Sequence, residues 1–344
     1  MTTQPPRREP RPDAIARAMA GWQPARVLMS ANRLDVFNAL GDQLLSVREI
    51  ARACGAHPRS TRLLLNACVA LGFLRKQNNR YGNTPEGLQL LVRGKPTYMG
   101  DGINHSDWLW RTWGRLAEAV RTNKPVIASA DPGAGPTIHR DFILAMHDRA
   151  MHTGEALAEA LDLSGRRQLF DAGGGPGTYS CFLARKYPEL RCIVFDLPPT
   201  VPIASEVIAS FGLQDRVTTR AGDYFRDDFG QGNDVVLLSA IVHAMPPRRA
   251  KQLLRKAHDS LVSGGLVVVH ENLIDSSKTS PTSAVLFSLN MLVNTGHGRS
   301  YSGAEISAWM REAGFAKPQV IRLPAPAATS LVTATKPQEE AMPR

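Results

Sequence analysis

The sequence of 344 residues predicts an α/β protein in which a doubly wound, mostly parallel, seven-stranded sheet follows a mainly helical N-terminal domain. From residue 168 onward, five apolar runs alternate with segments of helical periodicity, and a pair of strands follows near 318–323 and 329–334. Continuous Val, Ile and Leu runs are typical of strands buried on both faces, which belong to parallel sheets covered by helices. The N-terminal part instead repeats apolar residues at spacings of three and four, which indicates helices.

The N-terminal domain begins with helical patterns. Apolar spacing over residues 13–40 predicts two helices. Ser46 and Glu49 have the spacing of a capping box, which predicts a short helix from Val47. Pro58 lies in the first turn of the next predicted helix, a position that suits proline. These signals predict a helix–turn–helix arrangement.

Two short strands complete this domain. Residues 73–76 and 80–83 flank a turn, which predicts a hairpin. Helix, turn, helix and hairpin together make a winged-helix pattern, which we assign to residues 13–100. Residues 101–163 are predicted to form a helical linker that contributes to a substrate pocket, and residues 164–336 to form the sheet domain.

A winged helix is compatible with two functions. The second helix carries Arg59 and Arg62 near its start, where a DNA-recognition helix contacts bases. The formal net charge of +10 would also attract nucleic acid. However, the basic residues are spread along the chain, and more than half of the sequence lies outside this domain. These observations favour a winged-helix domain that forms a dimer and covers the substrate. We therefore expect no nucleic-acid partner.

The composition favours a cytoplasmic protein. No apolar run reaches the roughly 18 residues that a membrane-spanning helix needs, and the N-terminus does not resemble a secretory signal, so no membrane partner is expected. The four cysteines form no CxxC pair and lie in apolar segments, which is typical of buried, reduced thiols. We predict disordered ends at 1–12 and 337–344, and a loop at 129–136.

A glycine-rich loop is the strongest functional signal. The segment DAGGGPG, from Asp171 to Gly177, lies between a predicted strand and a predicted helix. Gly173 and Gly175 allow the backbone to turn tightly and to approach a ligand. The spacing differs from the GxGxxG of dinucleotide enzymes and from a P-loop. A nucleotide cofactor would bind at the carboxyl end of this first strand of the sheet.

Acidic residues follow the next two strands. Asp196 ends the second strand, about 20 residues beyond the glycines, and is placed to accept hydrogen bonds from ribose hydroxyls. Asp223 ends the third strand, where a carboxylate can bind the adenine amine while Tyr224 or Phe225 packs on the ring. Alternatively, Asp196 caps a helix and Asp223 starts a turn. Three such sites at successive strand ends favour the cofactor interpretation.

With these loops and the segments FDLP, AGDYF, VVLLSAIVHAMPP and LVSGGLVVVHENL, the chain resembles the small-molecule O-methyltransferases of plants and bacteria, such as the caffeate, hydroxyindole and phenazine enzymes. The resemblance extends from about Ala14 to Thr335. It implies a homodimer formed through the N-terminal domain and an aromatic small molecule as the methyl acceptor. It also implies S-adenosylmethionine as the cofactor, S-adenosylhomocysteine as its product, and no metal.

The same resemblance implies roles for particular residues. Cofactor contacts are assigned to Asp171, Gly173, Gly175, Asp196, Leu197, Asp223, Tyr224, Ser239 and Met146. The general base is assigned to His243, and the carboxylate that orients it to Glu271. A neutral imidazole suits removal of a phenolic proton near neutral pH.

The sequence departs from the family around this histidine. The family motif His-Asp-Trp reads His-Ala-Met from His243 onward. Ser300 stands where the family has a second orienting carboxylate, so Arg299 or Tyr301 is a candidate to replace it. These differences keep transfer to carbon or nitrogen open beside transfer to oxygen. An inactive cofactor-binding protein and a winged-helix regulator are the alternatives of another class.

The acceptor pocket is predicted to be mostly apolar, which fits a flat aromatic molecule. By the resemblance, its lining comprises Trp113, Phe142, Met291, Asn294 and Arg299, and further candidates are Trp110, Met146, Phe287 and Asn290. Core packing is an alternative role for each of these side chains. Arg299 is also a candidate to bind an anionic group of the acceptor.

Overall fold

A computed structural model describes residues 12–126, 136–325 and 327–338. Most residues of the predicted disordered ends lie outside the described residues. The same is true of most of the predicted loop at 129–136. The chain divides into two compact units, Met1–Asp107 and Trp108–Arg344.

The first unit is mainly helical and contains a small three-stranded sheet. Its helices are α1 (Pro12–Ala20), α2 (Trp22–Arg33), α3 (Val36–Leu40), α4 (Val47–Ala53), α5 (Pro58–Ala70), α6 (Pro85–Leu90) and the greater part of α7 (Gly100–Trp113). Its strands are β1 (Leu45–Ser46), β2 (Leu74–Gln77) and β3 (Arg80–Asn83), and they pair in the order β1-β3-β2. The predicted helices around α4 and α5 and the predicted hairpin are confirmed.

Two helical stretches are divided more finely than the periodicity predicts. The sequence predicts two helices over 13–40, whereas the structure has three. Asp35 adopts a left-handed conformation (φ 61°) between α2 and α3, and such a residue ends a right-handed helix. The helical linker predicted from residue 101 is likewise interrupted near its start. The structure has α7 and α8 (Leu116–Thr122), with Gly114 between them, and glycine weakens a helix interior.

The capping box at the start of α4 has the predicted form. The Ser46 hydroxyl accepts the backbone N–H of Glu49, and the Glu49 carboxylate accepts the backbone N–H of Ser46 at 2.7 Å. These hydrogen bonds lower the pKa of Glu49 below its ordinary value. The box thereby satisfies donors at a helix end that have no partner within the helix.

The substitution Ser46→Ala is expected to lower the free energy of unfolding by about 1 kcal/mol, because the N-cap acceptor is lost. Urea titration measures this change. Ser46→Thr keeps the hydroxyl and serves as the control, for which a much smaller loss is expected. Equal losses in both variants would show that the hydroxyl does not stabilise α4.

The second unit contains the larger sheet and the helices around it. Beyond α8, its helices are α9 (Pro136–Ala160), α10 (Thr178–Lys186), α11 (Val201–Ser210), α12 (Pro247–Ser260), α13 (Thr282–Asn294) and α14 (Gly303–Glu312), with one 3₁₀ turn at Val242–Ala244. Its strands are β4 (Gln168–Ala172), β5 (Arg191–Asp196), β6 (Val217–Ala221), β7 (Asn233–Ser239), β8 (Leu261–Glu271), β9 (Ala316–Arg322) and β10 (Ser330–Thr335).

The seven strands form one doubly wound sheet, as the sequence predicts. Their order is β6-β5-β4-β7-β8-β10-β9, and β4 pairs in parallel with both β5 and β7. The strand β10 is antiparallel to both of its neighbours. The order of strands reverses between β4 and β7, and ligands of such sheets bind at the carboxyl ends of the strands beside that reversal.

Alternating residues of the central strands pack into two separate cores. On β7, Val236 and Leu238 pack into the core on one face of the sheet, together with residues of α12 and α14. Val235 and Leu237 pack into the core on the other face, with residues of α9, α10 and α11. Burial on both faces explains the continuous apolar runs of the sequence. None of the described helices combines the length and the apolar character needed to cross a membrane.

Candidate active site

The glycine-rich loop follows β4 and adopts backbone conformations that glycine tolerates. Gly173 (φ 67°) and Gly177 (φ 73°) lie in the left-handed region. A Cβ atom on Gly173 would lie 2.4 Å from Cδ1 of Ile241, and one on Gly177 would lie 2.9 Å from Val194. Gly175 (φ 55°) differs, since no atom lies within 4 Å of the position of its Cβ. The loop is therefore closely packed at both ends and open at Gly175.

The end of β5 is joined directly to this loop. The backbone N–H groups of Gly173 and Gly174 both donate to the carbonyl oxygen of Phe195. The carboxylate of Asp196 accepts the backbone N–H of Gly175 at 2.8 Å and that of Leu197 at 2.7 Å. Asp196 therefore lies at the open glycine, as the sequence predicts for a cofactor cleft, and it does not cap a helix.

The end of β6 is the third part of the cleft. The backbone N–H of Gly222 donates to the carbonyl of Asp196, so the two strand ends are adjacent. Asp223 accepts the backbone N–H of Phe225 at 2.8 Å, which is the turn-forming role that the sequence left as an alternative. The ring of Tyr224 meets the ring of Phe225 edge to face, with 4.7 Å between centroids. An aromatic pair thus lies beside an acidic residue at this strand end.

Asp171 is the least accessible of these carboxylates. Its side chain is 1% exposed, and one carboxylate oxygen accepts the hydroxyl of Ser180 at 2.7 Å. The other oxygen, Oδ1, is buried and has no hydrogen-bond partner among the described residues. Burial raises the pKa of Asp171 to about 7, with the hydrogen bond from Ser180 opposing the rise and the charge of Asp196 adding to it.

This raised pKa makes stability depend on pH. Between about pH 4 and pH 7 the folded protein keeps a proton on Asp171 that the unfolded chain has lost, so the free energy of unfolding falls as pH rises. Asp171→Asn removes this contribution. The free energy of unfolding of the variant minus that of the wild type is expected to rise by at least about 1 kcal/mol from pH 5 to pH 8. Urea titration without cofactor measures both free energies. A difference that does not change with pH would contradict the assignment.

The loop and strand ends fit an adenosine cofactor that carries an amino acid. Gly175 leaves open space, and Asp196 offers carboxylate oxygens to hydroxyl donors at that point. The unpartnered oxygen of Asp171 suits a cationic donor such as an ammonium group, because a buried acceptor without a donor is unfavourable. In the described parts of the chain, no group of three or more His, Cys, Asp or Glu side chains could hold a metal ion.

The remaining predicted cofactor residues lie on neighbouring elements. Leu197 is 48% exposed and directly follows Asp196. Ser239 ends β7, but its hydroxyl is hydrogen-bonded to Nδ1 of the buried His270 at 2.9 Å. Met146 is half-buried on α9, next to His147, which contacts the hydroxyl of Thr178 at 2.8 Å. Because Thr178 is the first residue of α10, this part of α9 lies at the glycine loop.

His243 and the buried Glu271 form a hydrogen-bonded pair. The histidine lies in the 3₁₀ turn after β7, and Glu271 ends β8, so the parallel pairing of these strands brings the residues together. His243 Nδ1 lies 2.7 Å from one carboxylate oxygen, and the other oxygen accepts the backbone N–H of His243 at 3.1 Å. Burial acts to raise the pKa of Glu271, but the charge and hydrogen bonds of His243 outweigh it, so this pKa lies below its ordinary value.

No side chain takes the place of the missing second carboxylate in the described residues. Ser300 donates to the carbonyl of Ala284, and the hydroxyl of Tyr301 donates to the carbonyl of Met245 at 2.7 Å. The guanidinium of Arg299 pairs with a glutamate, Glu305 of α14, at 2.9 Å, and only its backbone N–H reaches the carbonyl of His243. Among the described residues, Glu271 is therefore the side chain that hydrogen-bonds the imidazole.

Helix α13 carries several predicted acceptor residues beside the imidazole. Phe287 packs edge to face on the ring of His243, with 4.7 Å between centroids. The indole N–H of Trp113 donates to the side-chain oxygen of Asn290 at 2.9 Å, and Asn294 donates to the same oxygen at 3.0 Å. Phe142, on α9, is 41% exposed. No sequence signal indicates the contact between Trp113 and Asn290, which lie 177 residues apart.

Comparisons with known proteins match both parts of the chain. The family model of the O-methyltransferase domain matches residues 113–316, and that of the O-methyltransferase dimerisation domain matches residues 18–93. A 3-hydroxy-5-methyl-1-naphthoate 3-O-methyltransferase from Streptomyces sahachiroi is 35% identical over 333 residues, which is 94% of this chain and 95% of the relative. The N,N-dimethyltransferase OxyT from Streptomyces rimosus is 30% identical over 98% of this chain and all of that protein.

A solved structure shows the same fold. Human N-acetylserotonin methyltransferase, crystallised with S-adenosylmethionine, superposes with a TM-score of 0.87 and 25% identity over 97% of this chain and all of that chain. The fold and the glycine cleft, together with these matches, define an S-adenosylmethionine-dependent methyltransferase. The chain belongs to the O-methyltransferase family, with that family's dimerisation domain at its N-terminus.

Proposed function

We propose that this enzyme methylates a hydroxyl group of an aromatic small molecule and that His243 is the general base. The observation that carries this proposal is the hydrogen bond between His243, whose side chain is 12% exposed, and the buried Glu271. It holds one imidazole nitrogen and leaves the other, Nε2, without a partner among the described residues. A base at that nitrogen needs only an acceptor hydroxyl within hydrogen-bond distance.

Glu271 determines which imidazole nitrogen carries the proton. Because the pKa of Glu271 is lowered, its carboxylate is ionised near neutral pH and accepts a proton from Nδ1–H. Nε2 then has a free lone pair and can take the proton of the acceptor. Glu271 also stabilises the imidazolium that results, because an opposite charge lies at 2.7 Å in a buried position.

The cofactor residues are proposed to act by positioning. When bound, S-adenosylmethionine supplies an electrophilic methyl group. Asp196 would bind the ribose hydroxyls of the cofactor. Asp223 and Tyr224, at the end of β6, would hold its adenine. The loop at Gly173 and Gly175 would lie against the remaining part of the cofactor. Fixed positions of the reacting atoms lower the barrier by removing entropy costs before the reaction.

The acceptor is proposed to be a fused or single aromatic ring with a phenolic hydroxyl. Phe287 lies against His243, and Trp113, the last residue of α7, donates its indole N–H to Asn290 of α13. Aromatic side chains favour offset or edge-to-face contacts with a flat ring. The naphthoate relative, named for a substrate of this kind, supports the assignment.

Transfer to nitrogen is the second candidate function. It is favoured by the likeness to OxyT, which is named an N,N-dimethyltransferase and is similar along nearly the whole chain. An amine acceptor would need a base only if it binds in its protonated form. The requirement for His243 therefore distinguishes the two functions.

The test uses S-adenosylmethionine labelled with ¹³C in the methyl group and a panel of phenols, naphthols, hydroxylated quinones and aromatic amines. Nuclear magnetic resonance of the products distinguishes a methoxy carbon from an N-methyl or C-methyl carbon. The proposal predicts methoxy products from hydroxylated members of the panel. Exclusive labelling of nitrogen or carbon, or turnover of no hydroxylated compound, would contradict it.

We also propose that the enzyme is a homodimer through the first unit. The match to the dimerisation domain supports this proposal. Helix α1 and the start of α2 expose large apolar side chains, of which Ile15 is 67% and Met19 is 71% exposed in the single chain. The substitution Met19→Glu is expected to shift the species measured by light scattering toward the monomer, whereas an unchanged mass would contradict this interface.

The cytoplasm is the proposed location of the enzyme. The four cysteines are free, and burial raises the pKa of Cys68 to about 11 and that of Cys181 to about 12. Thiols of this kind are unreactive and persist in a reducing compartment.

A further inference from the structure

His270 of β8 is a buried imidazole, and each of its two ring nitrogens lies beside a hydroxyl group. The residue is 3% exposed. Nδ1 lies 2.9 Å from the hydroxyl of Ser239 at the end of β7, and Nε2 lies 2.8 Å from the hydroxyl of Thr329. The ring of Tyr179, near the start of α10, packs on it edge to face with 5.0 Å between centroids. The proposed removal of the acceptor proton does not use this histidine.

His270 is neutral near neutral pH. Burial lowers the pKa of His270 to about 4, while the charge of Glu271 opposes this shift and that of Arg149 adds to it. A neutral imidazole has one N–H donor and one acceptor nitrogen. The surroundings of the two hydroxyls therefore decide which nitrogen carries the proton.

These surroundings favour a proton on Nε2. If Nδ1 carried it, the Ser239 hydroxyl would have to donate its own hydrogen elsewhere, and a buried donor without an acceptor is unfavourable. Ser239 is 9% exposed, and no other described residue hydrogen-bonds its hydroxyl. Thr329 is half-buried, so water can accept from its hydroxyl. Ser239 therefore donates to Nδ1, and its oxygen keeps lone pairs for a further donor.

The Ser239 oxygen lies on the same face of the sheet as Asp171. Parallel pairing places Asp171 of β4 opposite Leu237 of β7, and residues two apart on a strand share a face. Ser239 is two residues beyond Leu237 and lies opposite His270 of β8. Three neighbouring strand ends thus carry polar side chains in a row, beside the glycine loop that follows β4.

Asp171 offers a second acceptor in this row. Its Oδ1 atom is buried and has no hydrogen-bond partner among the described residues. A primary ammonium group has three donors, so one carboxylate oxygen does not satisfy it. Two acceptors on adjacent strands, Asp171 and Ser239, suit such a group better than either one alone.

We propose that His270 is a positioning residue that holds the Ser239 oxygen as an acceptor, so that Ser239 and Asp171 together bind the ammonium group of the cofactor. His270 acts through Ser239 and not by contact with the cofactor. This inference rests on the proposed placement of the cofactor at the strand ends, and it assigns the site of its ammonium group.

The test measures binding and not turnover. Calorimetry compares S-adenosylhomocysteine with its deaminated analogue, in which hydrogen replaces the amino group. The wild type is expected to prefer S-adenosylhomocysteine by about tenfold or more, because the analogue lacks the hydrogen bonds of a charged group. Ser239→Ala is expected to weaken binding of S-adenosylhomocysteine by about fivefold or more and to leave binding of the analogue nearly unchanged.

Variants of His270 show whether it acts through Ser239. His270→Phe keeps a ring but removes Nδ1, and it is expected to reduce the preference as much as Ser239→Ala does. His270→Asn can place an acceptor oxygen near the position of Nδ1 and is expected to keep most of the preference. Adding His270→Phe to Ser239→Ala is expected to cause no further loss, because coupled residues are not additive. Thr329→Val removes the partner of the other nitrogen and is the matched control, for which the wild-type preference is expected.

Nuclear magnetic resonance of ¹⁵N-labelled histidines tests the tautomer without a ligand. The proposal predicts a proton on Nε2 of His270, which is the opposite of the Nδ1–H of His243. The signal of His270 is identified by its loss in His270→Asn. A proton on Nδ1 of His270 would overturn the proposal.

The outcomes separate this inference from the proposed function, because no methyl acceptor takes part. A wild-type preference in Ser239→Ala, or a loss in His270→Phe that is equal for both ligands, would overturn the role of His270 and leave methyl transfer to a hydroxyl unaffected. The expected loss of preference would support the role of His270 even if the acceptor panel gave no methoxy product. Failure of S-adenosylhomocysteine to bind the wild type would overturn both.

Discussion

His243→Ala is expected to lower kcat by about 100-fold or more while leaving the affinity for S-adenosylhomocysteine unchanged. General-base catalysis contributes roughly 100- to 10,000-fold, and alanine leaves no group that could take the proton at that position. The proposed cofactor residues at the ends of β4, β5 and β6 do not include His243, so binding of the cofactor should be retained. Steady-state kinetics with a phenolic acceptor and calorimetry with S-adenosylhomocysteine measure the two quantities.

Two other variants are informative beside this one. His258→Ala removes a half-buried histidine of α12 that packs on Phe315, and it is the matched control, with kcat expected within a few-fold of the wild type. Glu271→Gln is expected to fall between the wild type and His243→Ala, because the imidazole keeps a hydrogen bond but loses a charge. A wild-type kcat in His243→Ala would remove the base role from this residue and favour transfer to nitrogen or carbon.

Asp196→Ala is expected to weaken binding of S-adenosylhomocysteine by about 1–3 kcal/mol, which is roughly 5- to 150-fold in Kd, because hydrogen bonds to a charged group are lost. The same carboxylate accepts the backbone N–H of Gly175, so its removal also loosens the loop that faces the cleft. Isothermal titration calorimetry measures the change. Asp215→Ala, an exposed residue at the opposite end of β6, is the matched control and is expected to bind normally. Equal affinities of the wild type, Asp196→Ala and Asp215→Ala for S-adenosylhomocysteine would place the cofactor elsewhere.

Much of the architecture could be predicted because its signals are local. Continuous apolar runs identified the parallel strands, and the glycines after β4 identified the ligand-binding end of the sheet. The pairing of Asp196 with the loop follows from these two facts, since adjacent parallel strands end at the same edge. The family resemblance then placed His243 and Glu271 together, and the structure confirms their contact.

Other features could not be predicted because they depend on contacts between distant residues or on single backbone angles. The left-handed conformation of Asp35 interrupts a helical pattern whose apolar spacing continues through it. The amide of Asn290 is oriented by Trp113, and no spacing rule connects residues so far apart. The residue type at Ser300 showed that a carboxylate is missing, but only the structure shows that Arg299 and Tyr301 are engaged elsewhere.

The most direct test of the role of His243 is the effect of His243→Ala on phenols of different acidity. A general base is needed only while the acceptor hydroxyl is protonated. An ordinary phenol is protonated near neutral pH, whereas a nitro-substituted phenol can be largely ionised there. The predicted result is a loss of about 100-fold or more for the weakly acidic phenol and a much smaller loss for the ionised one. The same loss for both phenols would contradict proton removal by His243.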